Sequence, residues 1–258
     1  MFAITHQQVT PEILSLFDLS KPTMPRAFNV LEGMTSVQIV VDDVTDPQWA
    51  VVREALYGTL YFGGPIDRLQ MEALFDHFFQ FGSIGVGCWL DDTLNQILPT
   101  NPDYDGFTLY FTERSRQVPL GLMIQQLPSG YTLSLRDEKW FVSSFEYEST
   151  LASFGSMENV LRHTLGMNLI QDDTLLCEAA TGAPTHGRIE IGITTHERYR
   201  QRGFAGIACA KLIEICESEA YSTWWDCAKQ NTPSVRLARK LGYQNEREYR
   251  YAWWEKRS

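Results

Sequence analysis

The second half of the chain has the clearest alternation of apolar and polar positions. Isoleucines at every second position predict a strand over Arg188–Thr194, and the apolar runs Met167–Gln171 and Leu175–Thr181 predict a hairpin before it. Before the hairpin, the pattern predicts a strand at Tyr131–Leu135 and helices at Glu138–Ser153 and Ser156–Thr164. After the isoleucine strand, it predicts a long helix from Gly203 to about Glu219, a strand at Ser222–Cys227, a helix at Pro233–Leu241 and a strand at Glu248–Trp254. From Met167 onward the order is β-β-β-α-β-α-β, which is typical of an α/β fold with a mostly antiparallel front.

The first half has a less regular pattern. The β-branched run Val37–Val41 predicts a strand, whereas the apolar residues within Pro47–Tyr61 fall at helical spacing and predict a helix. A helix at Ile66–Phe81 and strands at Ile84–Leu90 and Phe107–Phe111 follow. The turn-rich stretch Leu127–Gly130 is the best boundary, which gives an N-terminal α/β domain of residues 1–129 and a C-terminal domain of residues 130–258.

Length and composition exclude several classes of protein. A chain of 258 residues is long enough for two domains, and a net charge of −10 argues against binding to nucleic acid or to an anionic membrane surface. No apolar run is long enough to span a membrane, and the N-terminus lacks the features of a secretory signal. Five cysteines without a C-x-x-C pair favour buried thiols in a reducing cytoplasm over disulfides or a metal site.

A basic loop lies between the isoleucine strand and the long helix. Gly203 opens the helix, and Arg198, Arg200 and Arg202 precede it. The N-terminus of a helix offers unpaired N–H groups and the positive end of a dipole, and a glycine there lets an anion approach the backbone. The loop is therefore a candidate phosphate cradle. The alternative is a solvated basic turn before an ordinary helix.

Two motifs resemble the GNAT superfamily of N-acetyltransferases. Arg200-Gln201-Arg202-Gly203-Phe204-Ala205 resembles its Arg/Gln-x-x-Gly-x-Gly/Ala signature, and Asn231 to Ser234 followed by Leu241-Gly242-Tyr243 resembles its second motif. The resemblance covers about Met167–Trp254 and implies a C-terminal GNAT-like mixed, mostly antiparallel sheet flanked by helices. The sequence around Thr195-His196 and Trp225-Asp226-Cys227 further resembles the subgroup that includes zwittermicin A resistance acetyltransferases.

The resemblance implies that acetyl-CoA is the co-substrate and assigns roles to individual residues. The strand backbone would bind the pantetheine arm, the loop would bind the pyrophosphate, and Asn231, assisted by Ser234, would lie near the thiol end. The residues concerned are Ile193, Thr194, Thr195, Arg200, Gln201, Arg202, Gly203, Phe204, Ala205, Gly206, Asn231 and Ser234. Asn231 could instead be a turn residue, and Ser234 could serve only the first turn of the helix.

The general acid of many family members is absent, because Ala238 stands where they have a tyrosine. Glu190 and His196 are the catalytic candidates, since both could accept a proton from the attacking amine. Glu178 and Tyr243 are further substitutes. The competing interpretations are a strand carboxylate held in an ion pair for Glu190 and an exposed loop histidine for His196.

The resemblance implies an acetyl-CoA-dependent N-acetyltransferase that acts on a small-molecule amine by direct attack. A non-catalytic acyl-CoA-binding sensor is the alternative, and transfer of a longer acyl chain or attack by an oxygen nucleophile is another. A homodimer is possible. We expect the N-terminal domain to form a wall of the acceptor pocket, although it could serve only to stabilise or dimerise its neighbour.

Overall fold

The computed structural model describes residues 1–35 and 37–256, which divide into two compact units. The first unit comprises residues 1–108 together with the last segment of the chain from Glu248, and the second comprises Leu109–Arg247. This division differs from the boundary at residues 129 and 130 that the sequence suggests. The physical reason is that residues on both sides of the turn-rich stretch, among them Phe111 and Met123, belong to the core of the second unit.

The first unit contains a sheet covered by short helices. Its elements are β1 (Phe2–Ile4), α1 (Pro11–Ser15), α2 (Pro25–Leu31), β2 (Val37–Val41), β3 (Ala50–Glu54), β4 (Thr59–Gly63), α3 (Arg68–Phe79), β5 (Ile84–Trp89), α4 (Leu94–Ile97), the beginning of β6 (Tyr104–Arg114) and the end of β12 (Tyr243–Trp254). The strands follow the order β1-β2-β3-β4-β5-β12. Neighbouring strands are antiparallel except β4 and β5, which are parallel.

The predicted helix over Pro47–Tyr61 is wrong, because this segment forms β3 and β4. The two strands pair antiparallel, and the turn between them passes through Gly58 at φ +65°. Val51, Val52 and Leu60 are fully buried. A strand that is buried on both faces loses the alternation that identifies it, so its apolar residues can match helical spacing by coincidence.

The second unit has the architecture that the sequence predicts. Its elements are the remainder of β6, α5 (Leu120–Ile124), β7 (Thr132–Leu135), α6 (Glu138–Val142), α7 (Tyr147–Phe154), α8 (Met157–His163), β8 (Gly166–Gln171), β9 (Thr174–Thr181), β10 (Arg188–Thr195), α9 (Phe204–Ser218), β11 (Ser222–Ala228), α10 (Thr232–Lys240) and the beginning of β12. The order of the strands is β12-β6-β11-β10-β9-β8-β7, in which β10 and β11 pair parallel and β7, β8, β9 and β10 pair antiparallel. The predicted helix Glu138–Ser153 is broken into two, and the last strand begins earlier than predicted.

The two units repeat one order of elements. Each has a first strand, short helices, three antiparallel strands, a long helix, a parallel strand, a short helix and a final strand. The sequence shows no internal repeat, because the two copies share their pattern of pairing and not their residues. The mixed α/β fold with a sheet flanked by helices is confirmed.

The cores of the two units are built from different residues. Helix α9 packs its buried face, which includes Ile207 and Leu212, on β8, β9 and β10 in the second unit.

All five cysteines are free and buried, as predicted. Burial raises the pKa of Cys177 to about 11 and that of Cys88 to about 12. Within the described residues, no helix is both long and apolar enough to cross a membrane, and no group of three or more His, Cys, Asp or Glu side chains could hold a metal ion.

Candidate functional site

The parallel strands β10 and β11 separate part of the way along their length. They pair from Arg188 with Ser222 to Glu190 with Trp224, and the pairing ends there although β10 continues to Thr195. On its other edge β10 pairs with β9 as far as Thr195. The backbone of β10 beyond Glu190 therefore faces a gap on the β11 side. An extended ligand that carries amide groups could use these strand atoms as hydrogen-bond partners.

The N-terminus of α9 is open. Gly203 is the N-cap residue, has φ +82° and provides no side-chain hydrogen bond to the N–H groups of the first turn. A Cβ at this position would meet no atom within 4 Å. The first bonds to its carbonyl come from Gly206 and Ile207, so the N–H groups of Phe204 and Ala205 precede the helical hydrogen bonds. This geometry fits an anion in contact with the backbone, because a side chain at residue 203 would occupy the same space.

The basic loop lies at the same end of β10. Gln201 has φ +63°, Arg200 donates from Nε to the Thr195 carbonyl oxygen at 3.2 Å, and the Arg202 guanidinium lies 5.3 Å from the centre of the Tyr199 ring. The side chains of the three loop arginines are exposed. Arg200 thus ties the loop to the strand, and the loop places positive charge beside the open end of α9.

Phe204 and Gly206 serve the core as well as the helix terminus. The Phe204 side chain is buried, and its ring lies 4.9 Å from the ring of Tyr131. A Cβ at Gly206 would lie 3.1 Å from the terminal methyl group of Met123. These two residues can offer an anion only their backbone. A side chain at residue 206 would need the Met123 side chain to move.

The second motif forms the start of α10. Asn231 is its N-cap and accepts a hydrogen bond from the Ser234 N–H at 3.3 Å, while the Ser234 hydroxyl oxygen accepts from Trp225 Nε1 at 3.1 Å. Both polar groups therefore have structural partners. The Asn231 side chain is exposed, so its Nδ2 amide can meet a ligand at this end of β11, whereas the Ser234 side chain also hydrogen-bonds the Cys227 thiol.

Glu190 lies on the face of β10 opposite the buried Ile189 and Ile191. Its side chain is half-buried, and its strand partner Trp224 points to the same face. Arg188, two residues earlier on this face, donates to the Tyr110 hydroxyl at 2.7 Å. Burial raises the pKa of Tyr110, Arg188 opposes that rise, and Glu190 and Asp226 add to it.

Tyr110 and Arg188 are site residues that sequence reasoning missed. Tyr110 comes from β6, which is 78 residues before Arg188, and no motif surrounds it. Its ring packs edge-on against Trp224 with the centroids 5.3 Å apart. A buried tyrosine hydroxyl normally finds a partner. That rule is the one signal that could have drawn attention to it, but it does not name the partner.

The other catalytic candidates have different surroundings. His196 is exposed, its Nδ1 accepts from the Arg198 N–H at 3.3 Å, and its ring lies 6.3 Å from that of Phe145. Glu178 is 4% exposed and accepts hydrogen bonds from Arg136 at 2.7 Å and from Ser144 at 2.6 Å, so it is part of a buried ion pair.

Tyr243 and Ala238 are both buried in the core of the second unit. Burial raises the pKa of Tyr243 well above its ordinary value. A hydroxyl in that environment holds its proton and does not exchange it with a ligand in solution. Ala238 faces the same core, so the position that carries a tyrosine in many relatives is here a packing position.

The loop between α6 and α7 lies beside the end of β10. Thr194 Oγ1 donates to Glu146 Oε1 at 3.2 Å, and Ser144, in the same loop, donates to Glu178. The buried pair of Arg136 and Glu178 thus fixes the loop on the sheet face that also carries Glu190. The Glu146 carboxylate and the Phe145 ring are therefore held next to the end of β10.

Comparison with known proteins agrees with this geometry. The family model described as GNAT acetyltransferase matches residues 19–252, which is most of the chain. The chain belongs to the GNAT acetyltransferase family. The match includes both units, although the two motifs lie in the second.

Three relatives of known name or structure are similar to the chain at low identity. The curated Bacillus subtilis (strain 168) protein "Uncharacterized N-acetyltransferase YdfB" is 29% identical over 126 residues, and the match covers 48% of each chain, so the chain spans about half the length of this relative. A GCN5-related N-acetyltransferase-like protein from Streptococcus suis 89/1591 superposes with a TM-score of 0.73 at 23% identity, covering 97% of this chain and 100% of that one. A tandem GNAT protein from the clavulanic acid biosynthesis pathway has a TM-score of 0.61 at 11% identity, covering 98% and 95%. At these identities the structures show the GNAT fold alone.

Proposed function

We propose that this GNAT protein transfers an acetyl group from acetyl-CoA to an amine of a small molecule by direct attack. The observation that supports the proposal is the combination of a β10–β11 gap with an uncapped α9 N-terminus and a basic loop. A thioester with a pantetheine arm and a pyrophosphate needs these features at one end of a sheet.

Acetyl-CoA would bind along β10 and onto α9. The backbone of Ile193, Thr194 and Thr195 would hydrogen-bond the pantetheine amides, and the N–H groups from Gln201 to Gly206 would hold the pyrophosphate, with Arg200 and Arg202 beside it. Asn231 and Ser234 would lie near the sulfur. The bound thioester supplies the activated acetyl group, and the protein orients it for attack.

Glu190 is the proposed general base. The amine nitrogen attacks the thioester carbonyl carbon, the C–S bond breaks, the nitrogen loses a proton to Glu190, and the departing thiolate takes up a proton to give free coenzyme A. The Tyr110–Arg188 pair fixes polar groups on the same sheet face. His196 is the second candidate base, in an exposed position at the end of the strand.

The acceptor would be held by the loop between α6 and α7. Glu146 places a carboxylate near Thr194, and Phe145 places a ring near His196. A carboxylate attracts a protonated amine, and an aromatic face packs its carbon chain.

Two narrower predictions remain predictions: the similarity to zwittermicin A resistance acetyltransferases, and the role of the first 129 residues as a wall of the acceptor pocket. A homodimer likewise remains a prediction.

A non-catalytic acyl-CoA sensor is the second candidate, and Ala238 in place of the usual tyrosine is the observation that favours it. A panel of amines with acetyl-CoA, followed by release of free thiol, separates the two. Release of thiol that depends on an amine and falls in a Glu190→Gln variant supports the enzyme. Tight acetyl-CoA binding without thiol release for any amine supports the sensor.

A further inference from the structure

The first unit contains a cleft at the position that corresponds to the β10–β11 gap. Its parallel strands β4 and β5 pair only at Thr59 with Gly85 and Leu60 with Val86, although they continue to Gly63 and Trp89. A cavity of about 230 Å³ opens beyond this point. Its apolar walls include Leu16, Met24, Leu60, Phe62, Ile66 and Leu94.

The helix that follows β4 begins in the opposite way from α9. The connection Gly63-Gly64-Pro65-Ile66-Asp67 has no basic residue. Asp67 caps α3 by accepting from the Gln70 N–H at 2.8 Å, and Gln70 Oε1 accepts from the Asp67 N–H at 2.8 Å. The Asp67 carboxylate therefore occupies the helix end at which α9 offers open N–H groups. The adjacent Arg68 guanidinium donates to the Gln96 carbonyl oxygen at 2.7 Å, so this helix start is capped and does not resemble the open end of α9.

The charged side chains among the described residues that line the cleft are Asp18, Lys21 and Asp92. Lys21 Nζ donates to Asp92 Oδ2, and the Asp92 side chain is only 4% exposed. The Leu94 N–H donates to Asp92 Oδ1 at 3.1 Å. Asp18 accepts hydrogen bonds from the backbone and hydroxyl of Ser20, which lower its pKa and keep it ionised. Two carboxylates against one ammonium leave the lining with one negative charge.

We propose that this cleft is a second ligand site, which takes a small primary amine with an apolar body in its cationic form and does not hold an acyl-coenzyme A. The aliphatic and aromatic walls pack the body of the ligand, and the polar groups between them fix its orientation, as in other small-molecule sites. The ammonium head neutralises the excess carboxylate charge. The same fold would then serve an anion in one unit and a cation in the other, because a carboxylate caps α3 whereas the N-terminus of α9 is open.

Calorimetry on the 258-residue chain without acetyl-CoA tests the proposal. Phenethylamine is the probe, and 2-phenylethanol and phenylacetate are its uncharged and anionic analogues. We expect the amine to bind at least about tenfold more tightly than either analogue, since one charge-assisted hydrogen bond distinguishes them. Equal or tighter binding of the alcohol or the carboxylate would overturn the proposal.

Variants assign the binding to this cleft. Asp18→Asn should weaken phenethylamine binding about tenfold, and Ile66→Trp should abolish it by filling the cavity. Asp91→Asn, which removes an exposed neighbouring charge that does not line the cleft, should leave it unchanged. Unchanged amine affinity in both Asp18→Asn and Ile66→Trp, with melting temperatures that confirm folding, would show that the cleft is not the site.

Titration with coenzyme A tests the second half of the proposal. One molecule should bind per chain, and two per chain would contradict the exclusion of acyl-coenzyme A from the first unit. The Glu190→Gln variant distinguishes amine binding in the second unit from amine binding in the cleft. It should leave unchanged the binding of phenethylamine that Ile66→Trp removes. Because these measurements need no turnover, the cleft and the proposed acetyl transfer can fail independently.

Discussion

Replacing Gly203 by valine should reduce acetyl-CoA affinity far more than it reduces stability. Gly203 has φ +82°, a conformation in which a side chain costs about 1–3 kcal/mol. For a chain of this size that cost lowers the melting temperature by roughly 2–4 °C per kcal/mol. The added side chain enters open space, so it adds strain without a clash inside the protein. That same space is where the phosphate would contact the backbone.

The expected loss of affinity follows from the hydrogen bonds that the side chain would block. Each charge-assisted N–H···O bond contributes about 1.5–3 kcal/mol, so losing one of them weakens binding by about 10–150-fold and losing two by about 150-fold or more. Isothermal calorimetry measures the affinity, and a thermal melt measures the strain.

Gly130 provides the matched control for this experiment. It has φ +85° and open space around a Cβ, as Gly203 has, but it lies before β7 and not at a helix N-terminus. Gly130→Val should therefore lower the melting temperature by a similar amount and leave acetyl-CoA affinity within about twofold of that of the unmodified protein. If Gly203→Val keeps full affinity, or if Gly130→Val loses as much, the pyrophosphate does not bind at α9.

Three further results are expected. Glu190→Gln should lower kcat by about 10²–10⁴ and change the pH–rate profile with little effect on acetyl-CoA affinity, and an unaltered profile would exclude it as the base. Glu178→Ala should cost about 3–5 kcal/mol in chemical denaturation because it strands buried Arg136, whereas Asp173→Ala, in an exposed pair with Lys139, should cost under about 1 kcal/mol. Burial raises the pKa of Cys177 to about 11, so between about pH 9 and pH 11 the folded state keeps a proton that the unfolded state has lost. The free energy of unfolding should therefore fall by about 1.4 kcal/mol per pH unit over this range because of this thiol. In chemical denaturation at several pH values, Cys177→Ala should make that fall less steep.

The strand and helix starts that form the proposed cofactor site of the second unit could be predicted from sequence because their signals are local. The isoleucine alternation of β10, the glycine that opens α9 and the Asn231 cap all lie within short windows, and each has one physical reason. The same method fails for β3 and β4, where burial on both faces removes the alternation. It also fails for the repeat of the fold, because strand pairing can be kept while residues change.

Contacts between distant parts of the chain could not be predicted from the sequence. The Tyr110 hydroxyl accepts a hydrogen bond from Arg188, and Arg114 forms a partly buried ion pair with Glu217, 103 residues away in sequence, at 2.7 Å. The sequence on either side of Tyr110 or of Arg114 contains no signal that identifies these partners. These contacts decide where the second unit begins, which a turn-rich stretch at Leu127–Gly130 does not.

The start of the second unit can be tested with two fragments. A fragment of residues 109–247 contains all of that unit, whereas one of residues 130–247 lacks β6 and α5. The shorter fragment loses four buried core side chains, Leu109, Phe111, Leu120 and Met123, and leaves Glu217 without Arg114. Burying each such side chain stabilises a fold by about 1.5–3 kcal/mol.

The loss from four side chains is therefore about 6–12 kcal/mol, which equals the whole stability of a typical domain. We expect residues 130–247 to be unfolded and residues 109–247 to fold and to bind acetyl-CoA, as followed by circular dichroism and calorimetry. A Phe111→Ala variant of the longer fragment, expected to lose about 3–5 kcal/mol, tests whether β6 acts through its core residues. If the shorter fragment folds and binds acetyl-CoA as well as the longer one, β6 and α5 are dispensable for the second unit.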